Sequence, residues 1–307
     1  MAMKSKWISD LHHPIKTRYL FRNLRIELLP VIILLAAICF ASCSKENLDV
    51  IRSRIPAPFK YLAGLFDGDG IGAAVAISPN VQILFNQSGD RYAWIENDSL
   101  MDERDIADPE GLFSLLTLDD IGAGALAGFR KFYLFNRAGS RFIEVIFHST
   151  DTEGQWANPR FFTFQHSPYP VDKWGLERAC PFTEIGAVWD YYAISDCSEF
   201  PKNAIRMVNR AGSEYVDYDL ETERFGDNPF SISNYPLNSC EIDPINKVSS
   251  IRKKDSAYLP LEVVDAASIY YNKDNKAAGE LFFTDGGKKF GFREFDSTEF
   301  QGPFSIY

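Results

Sequence analysis

The chain has 307 residues, of which 46% are hydrophobic, 24% charged and 14% aromatic. That balance describes a globular protein and excludes a disordered or collagen-like one. The net charge of −10 is unevenly placed: residues 1–43 carry +4 and the remainder, with 26 basic and 40 acidic residues, carries −14. An acidic body repels phosphates, so nucleic acid is excluded as a partner.

The basic lead holds Lys4, Lys6, Lys16, Arg18, Arg22 and Arg25 against Asp10 and Glu27. An apolar run from Val31 to Ala41 follows. It is shorter than the roughly 20 residues that span a bilayer and has the length of a signal-peptide centre. It ends in Phe40-Ala41-Ser42-Cys43. Small residues before a cysteine resemble the lipobox of bacterial lipoproteins. The resemblance implies a signal peptide over 1–42 and a diacylglyceryl group on Cys43, with Ala41 and Ser42 as the small positions. Phe40 stands where that family usually has an aliphatic residue, and the basic lead is long, so the true start of translation is open. An uncleaved apolar anchor is the alternative. Acyl chains at about 0.8 kcal/mol per buried CH₂ anchor a protein durably. Ser44-Lys45-Glu46 resembles the short charged signals that send some lipoproteins to the outer cell surface. The expected location is the cell envelope, lipid-anchored at the outer membrane, with the surface and the periplasm both open as the side it faces. Residues 43–66 read as a lipidated tether and lead-in, with Ile55, Phe59, Tyr61 and Leu62 placed to dock on the domain that follows.

A unit then recurs four times. Leu84-Phe85-Asn86-Gln87-Ser88-Gly89, Leu134-Phe135-Asn136-Arg137-Ala138-Gly139, Met207-Val208-Asn209-Arg210-Ala211-Gly212 and Phe282-Phe283-Thr284-Asp285-Gly286-Gly287 each read as a strand entering a tight turn. The final glycine supplies the positive φ that the turn requires. Upstream of each lies a strand of small residues: Ile71-Gly72-Ala73-Ala74, Ile121-Gly122-Ala123-Gly124, Ile185-Gly186-Ala187-Val188 and Val264-Asp265-Ala266-Ala267. Downstream lie Phe113-Ser114-Leu115, Phe162-Thr163-Phe164, Phe230-Ser231-Ile232 and Phe304-Ser305-Ile306, a further element that recurs at matched places. A fixed order with variable spacing is how a repeated unit diverges. Small residues suit strands crowded around an axis, and the aromatic strands suit packing between blades. The pattern predicts an all-β, four-bladed β-propeller over 67–307, with blades near 67–118, 119–167, 182–233 and 262–307. Segments 165–184 and 233–263 fall outside the repeat and are expected as loops on one face.

This arrangement resembles hemopexin-like domains, whose repeats begin with an Asp-Ala-Ala type strand. Val264-Asp265-Ala266-Ala267 and Gly89-Asp90-Arg91-Tyr92-Ala93-Trp94 are the nearest matches. Gly72, Gly122 and Gly186 depart from the usual Asp, and the cysteines that commonly join first and last blades are missing. The resemblance implies that backbone carbonyls of the inner strands, marked by Gly72, Gly122, Gly186 and Asp265, hold a structural cation in the central channel. It also implies a role in recognition.

Chemistry-bearing motifs are sparse. Only His148 and His166 follow Cys43, without metal-ligand spacing. No GxSxG, HExxH, phosphate-loop or GxGxxG motif occurs. Asp67-Gly68-Asp69-Gly70 reads as a turn into the first blade, since a calcium loop needs further acidic positions. The pairs Asp119/Asp120, Asp217/Asp219 and Glu294/Asp296 are the candidates for carboxylate catalysis. Cys180, Cys197 and Cys240 remain in an oxidising setting. Cys180–Cys197 is the preferred disulfide, with Cys197–Cys240 and free buried thiols as alternatives. Tyr169 and Trp174 are candidates for sugar stacking or core capping. The expected function is a membrane-anchored, non-catalytic binding or scaffold protein for a protein or polysaccharide. A glycan-acting enzyme and a haem or metal carrier are the rivals.

Overall fold

A computed structural model describes residues 48–128, 130–148, 161–165, 167–174, 179–192, 203–237, 257–271, 277–295 and 297–307. Cys43, Cys197, Cys240 and His166 lie outside the described residues, as does the signal segment. Among the described residues no helix is long and apolar enough to cross a membrane. The chain divides at Val50, and the unit from Ile51 to Tyr307 is the subject below.

Four antiparallel sheets follow in chain order. The first holds β1 (Ile71–Ser78), β2 (Val81–Asn86), β3 (Arg91–Glu96) and β4 (Ser99–Asp105). The second holds β5 (Ala123–Leu126), β6 (Lys131–Phe135), β7 (Arg141–His148) and β8 (Phe161–Phe164), with β9 (Tyr169–Pro170) also paired to β7. The third holds β10 (Ile185–Tyr192), β11 (Asn203–Asn209), β12 (Glu214–Asp219) and β13 (Arg224–Phe225), with β14 (Phe230–Ser231) on β12. A short pair, β15 (Pro236–Leu237) and β16 (Ala257–Tyr258), precedes the fourth sheet: β17 (Ala266–Tyr271), β18 (Ala277–Thr284), β19 (Lys289–Glu294) and β20 (Phe300–Ser305).

The inner strands β1, β5, β10 and β17 each lie against the inner strands of two neighbouring blades, and β17 returns to β1. The chain is therefore an all-β, four-bladed propeller. Four hydrogen bonds between successive blades stitch it at the turn glycines. The amide of Ile121 donates to the carbonyl of Gly89 (2.8 Å), Ile185 to Gly139 (2.9 Å), Val264 to Gly212 (3.3 Å) and Ile71 to Gly287 (3.0 Å). A Cβ on Gly139 would sit 1.9 Å from the carbonyl oxygen of Ile185. The repeated glycine thus provides both the turn, at φ +72, and the close approach of the next blade.

Apolar side chains fill the wedges between blades. Val75, Ile77, Phe85 and Phe132 belong to the core between blades one and two, and Ala187, Trp189, Tyr235 and Phe282 to that between three and four. The lead-in docks as its sequence suggests: Ile55, Phe59 and Leu62 are buried. Residues Ala57–Leu62 form a 3-10 turn. Phe59 meets the rings of Tyr270, Phe290 and Phe292, all from blade four.

Two expectations are corrected. Phe113 does not lie in a strand as Phe162, Phe230 and Phe304 do; the fourth strand of blade one is Ser99–Asp105. Asn97 and Asp98 both take positive φ (49° and 58°) and turn β3 tightly into β4. Phe113 then folds back into the core against Phe85, Tyr92 and Phe162. Nor are the described parts of 165–184 and 233–263 loops on one face. Val171, Trp174, Cys180 and Phe182 are buried between blades two and three, and Tyr235, Leu259 and Leu261 between three and four. Diverging outer strands leave wedges, and these apolar side chains fill them.

Candidate functional site

The four residues assigned to the inner-strand starts do meet. Gly72, Gly122, Gly186 and Asp265 line one cavity of about 120 Å³, together with Gln87, Arg137, Arg210 and Val264. The glycines are required sterically. A Cβ on Gly72 would lie 2.8 Å from the carbonyl oxygen of Asn86, one on Gly122 would lie 2.6 Å from the Cα of Arg137, and one on Gly186 would lie 2.7 Å from the carbonyl oxygen of Asn209. In blade four the turn is replaced by Asp285-Gly286-Gly287. There the Asp265 carboxylate accepts hydrogen bonds from the amides of Gly286 (2.8 Å) and Gly287 (3.3 Å). Elsewhere the capping carboxylate moves upstream: Asp69 accepts from the amide of Ser88 (3.0 Å) and Asp120 from that of Arg137 (3.0 Å).

The described side chains that line this cavity do not by themselves make a metal-ligand set. Arg137 and Arg210 line the cavity with Asp265, whose carboxylate is already bonded to two amides. Among the described residues, no group of three His, Cys, Asp or Glu side chains comes together. The sequence reading missed Arg137 and Arg210, although both follow the turn asparagine directly.

Three of the paired carboxylates have structural partners. Asp217 binds Arg206 through both oxygens (2.6 and 2.7 Å). Asp219 accepts from the amides of Glu221 and Thr222. Asp120 caps its turn, and Asp296 lies outside the described residues. His148 pairs with the hydroxyl of Thr163 at 2.8 Å. Trp174 is buried, stacked on Phe142 at 4.3 Å, whereas Tyr169 is exposed. Cys180 is a buried thiol among the described residues, and burial pushes it up to about 11.

At the other end of blade one lies a larger groove of about 430 Å³. It runs along the seam where the lead-in joins blade one to blade four. Phe59 and Tyr61 come from the 3-10 turn, Gln82 from β2, Asn80, Asn97 and Asp98 from the two hairpin turns of blade one, and Tyr270 and Tyr271 from the end of β17. The two turns are tied by the amide of Asn97 donating to the carbonyl of Asn80 (2.9 Å). Gln82 is 9% exposed. Its Oε1 accepts the hydroxyl of Tyr61 at 2.9 Å, while its Nε2 is buried without a partner. Burial, with the charge of Asp98 adding, pushes the Tyr61 phenol well above its ordinary range, so it remains a donor.

No known family model matches the chain, and no curated protein does. Solved structures of similar outline include a hemopexin fold protein, CP4, from cow pea (12% identity, TM-score 0.45, covering 72% of this chain and 84% of that one). A 2S albumin seed protein from Dolichos (11% identity, TM-score 0.47) covers 76% and 91%. A plant albumin from Cicer arietinum showing hemagglutination (13% identity, TM-score 0.44) covers 73% and 86%. The four-bladed architecture rests on the closed ring of inner strands in this chain.

Proposed function

We propose that the chain is a non-catalytic binding or scaffold protein of the cell envelope, held by lipid on Cys43, whose propeller recognises a protein or polysaccharide. The observation that carries this reading is the seam groove. It is a concave site of about 430 Å³, within the roughly 300–1,000 Å³ of small-molecule sites. It is built on a ring whose blades are stitched at all four turns. The structural engagement of Asp120, Asp217 and Asp219 supports the non-catalytic half of the proposal against the glycan-acting alternative.

Protease shaving of intact cells tests it, with Cys43→Ala as comparator. Digestion of the wild type, with the variant released or protected, is the expected result. Full protection of the wild type removes the surface placement and moves the search for partners to the periplasm. Release of the wild type into the medium removes the anchor. Alanine at Asp217, Asp219 and Glu294 together should change nothing on a glycan hydrolysis panel, because no turnover is expected from the wild type.

A further inference from the structure

We infer that the seam groove between blades four and one is a sugar site, which takes a neutral pyranose of a larger glycan. This rests on the recognition reading above and names its ligand class. Three features of the groove converge.

The first is an open hydrogen-bonding end inside a buried amide. Gln82, a residue of the groove lining, is 9% exposed, with one end of its amide held by Tyr61 and the other, Nε2, buried without a partner. Exchanging the two ends of the amide does not remove the vacancy, because only one end meets Tyr61. A buried polar atom left unpaired is costly, because it has lost water and gained nothing in exchange. A ligand atom that completes it recovers that penalty on binding.

The second is the mixture of groups around that amide. Asn80 and Asn97 add two more planar amides and Asp98 a carboxylate, in a lining that also includes Tyr61, Tyr270 and Tyr271, with the buried Phe59 behind them. Sugar hydroxyls both donate and accept, so neighbouring hydroxyls can accept from Gln82 and donate to Asp98. The apolar face of a pyranose suits an aromatic wall.

The third is charge. Among the described residues of the lining, Asp98 is the one carboxylic acid, and no lysine, arginine or histidine belongs to it. A phosphate, sulfate or uronate would meet a carboxylate with no compensating cation, which disfavours it. The chain's acidic balance adds to that repulsion at longer range.

The mature, full-length protein is titrated by calorimetry and saturation-transfer NMR with gluco-, manno-, galacto- and xylo-configured neutral oligosaccharides. Oligogalacturonate and 1,4-diaminobutane serve as charged comparators. At least one neutral series should bind, with protons of a single residue showing the strongest transfer. Gln82→Leu should weaken that binding tenfold or more at an unchanged melting temperature. Asp98→Asn, on an exposed turn, should weaken it several-fold, and decides the matter should Gln82→Leu fail to fold. No binding by any neutral series at millimolar sugar overturns the proposal. So does equal binding by wild type and both variants, or binding of the diamine alone. In each of those cases the envelope-recognition reading still stands or falls separately, on the shaving experiment.

Discussion

The amide of Ile71 donates a 3.0 Å hydrogen bond to the carbonyl of Gly287, and by it the last blade closes on the first. The same contact recurs at Gly89–Ile121, Gly139–Ile185 and Gly212–Val264. The chain closes the ring through this bond and through its C-terminus. There the Tyr307 hydroxyl donates to the carbonyl of Leu65 and accepts from the amide of Gly70 (3.1 Å).

Gly287→Ala should therefore cost far more than Gly286→Ala, one residue earlier in the same turn. Both glycines have positive φ, at 70° and 63°. An L-residue there costs about 1–2 kcal/mol. Around Gly286 an added Cβ meets nothing within 4 Å, whereas on Gly287 it would lie 2.1 Å from the carbonyl oxygen of Ile71. The second change should cost about 3–4 kcal/mol, in the range of clashes that move backbone. Urea unfolding of the two variants checks this, and equal losses would refute the sealing role of Gly287.

The lead-in should behave as part of the propeller rather than as a free tether. Phe59 is 2% exposed and touches three rings of blade four. Phe59→Ala should cost about 3–5 kcal/mol, as for other buried Phe truncations. Tyr307→Phe removes the hydroxyl that holds Leu65 and Gly70, and should cost about 1 kcal/mol. Limited proteolysis should cut the Phe59→Ala protein between residues 51 and 66 before it cuts the blades. Cleavage first within a blade would show that the lead-in is not a closing element.

Between blades three and four a buried carboxylate organises three side chains. Glu280 accepts from Trp189 Nε1 (3.2 Å), the Tyr235 hydroxyl (2.6 Å) and Arg293 Nε (2.7 Å). Arg293 is fully buried and Glu280 is 1% exposed. Burial pushes the Glu280 carboxyl up, but the charge of Arg293 and the Tyr235 hydrogen bond more than offset it, and the group titrates below the ordinary carboxylate range. Glu280→Gln would leave the Arg293 charge buried without its counter-ion. It should cost about 3–5 kcal/mol, measured by urea unfolding at neutral pH. A loss under about 1 kcal/mol, the scale of an exposed ion pair, would show that solvent reaches the pair.

The fold was legible because its two strongest requirements are written in glycine. The turn glycines at 89, 139, 212 and 287 meet both a positive φ and a contact with the next blade. Gly72, Gly122 and Gly186 are small because the turn of their own blade crosses them. What was not legible depends on contacts far along the chain. Gln82 alternates with Val81 and Ile83 as a solvent-facing strand residue would, and is buried because Tyr61 of the lead-in lies over it. Glu280 reads as an ordinary strand acid until Arg293 and Trp189 surround it. Phe113 was misplaced because the Asn97-Asp98 turn went unrecognised, though two residues that tolerate positive φ between strands carry that signal.

Asp190 should give the protein a pH dependence of the opposite sign to that of Glu280. It lies near the end of β10, 6% exposed, with its Oδ2 unpartnered. Burial pushes it up to about 7, with a backbone hydrogen bond opposing and the charge of Glu280 adding. An unfolded aspartate titrates near 3.9. Between those two values the folded state holds a proton that the unfolded state has released, so stability falls as pH rises through this window. The Asp190 contribution is fully present below about pH 4 and is lost as pH passes 7. Glu280, with its depressed folded value, contributes stability that is present above the ordinary carboxylate range and lost in acid. At pH 5 Glu280 is largely ionised in both states, and the Asp190→Asn variant separates Asp190 from the other groups that titrate between pH 5 and pH 8, such as Asp265, whose carboxyl burial also pushes up. Urea unfolding of the wild type should show lower stability at pH 8 than at pH 5, and Asp190→Asn should shrink that difference. An unchanged difference in the variant would show that Asp190 is ionised in the folded protein throughout and that water or a cation reaches its carboxylate.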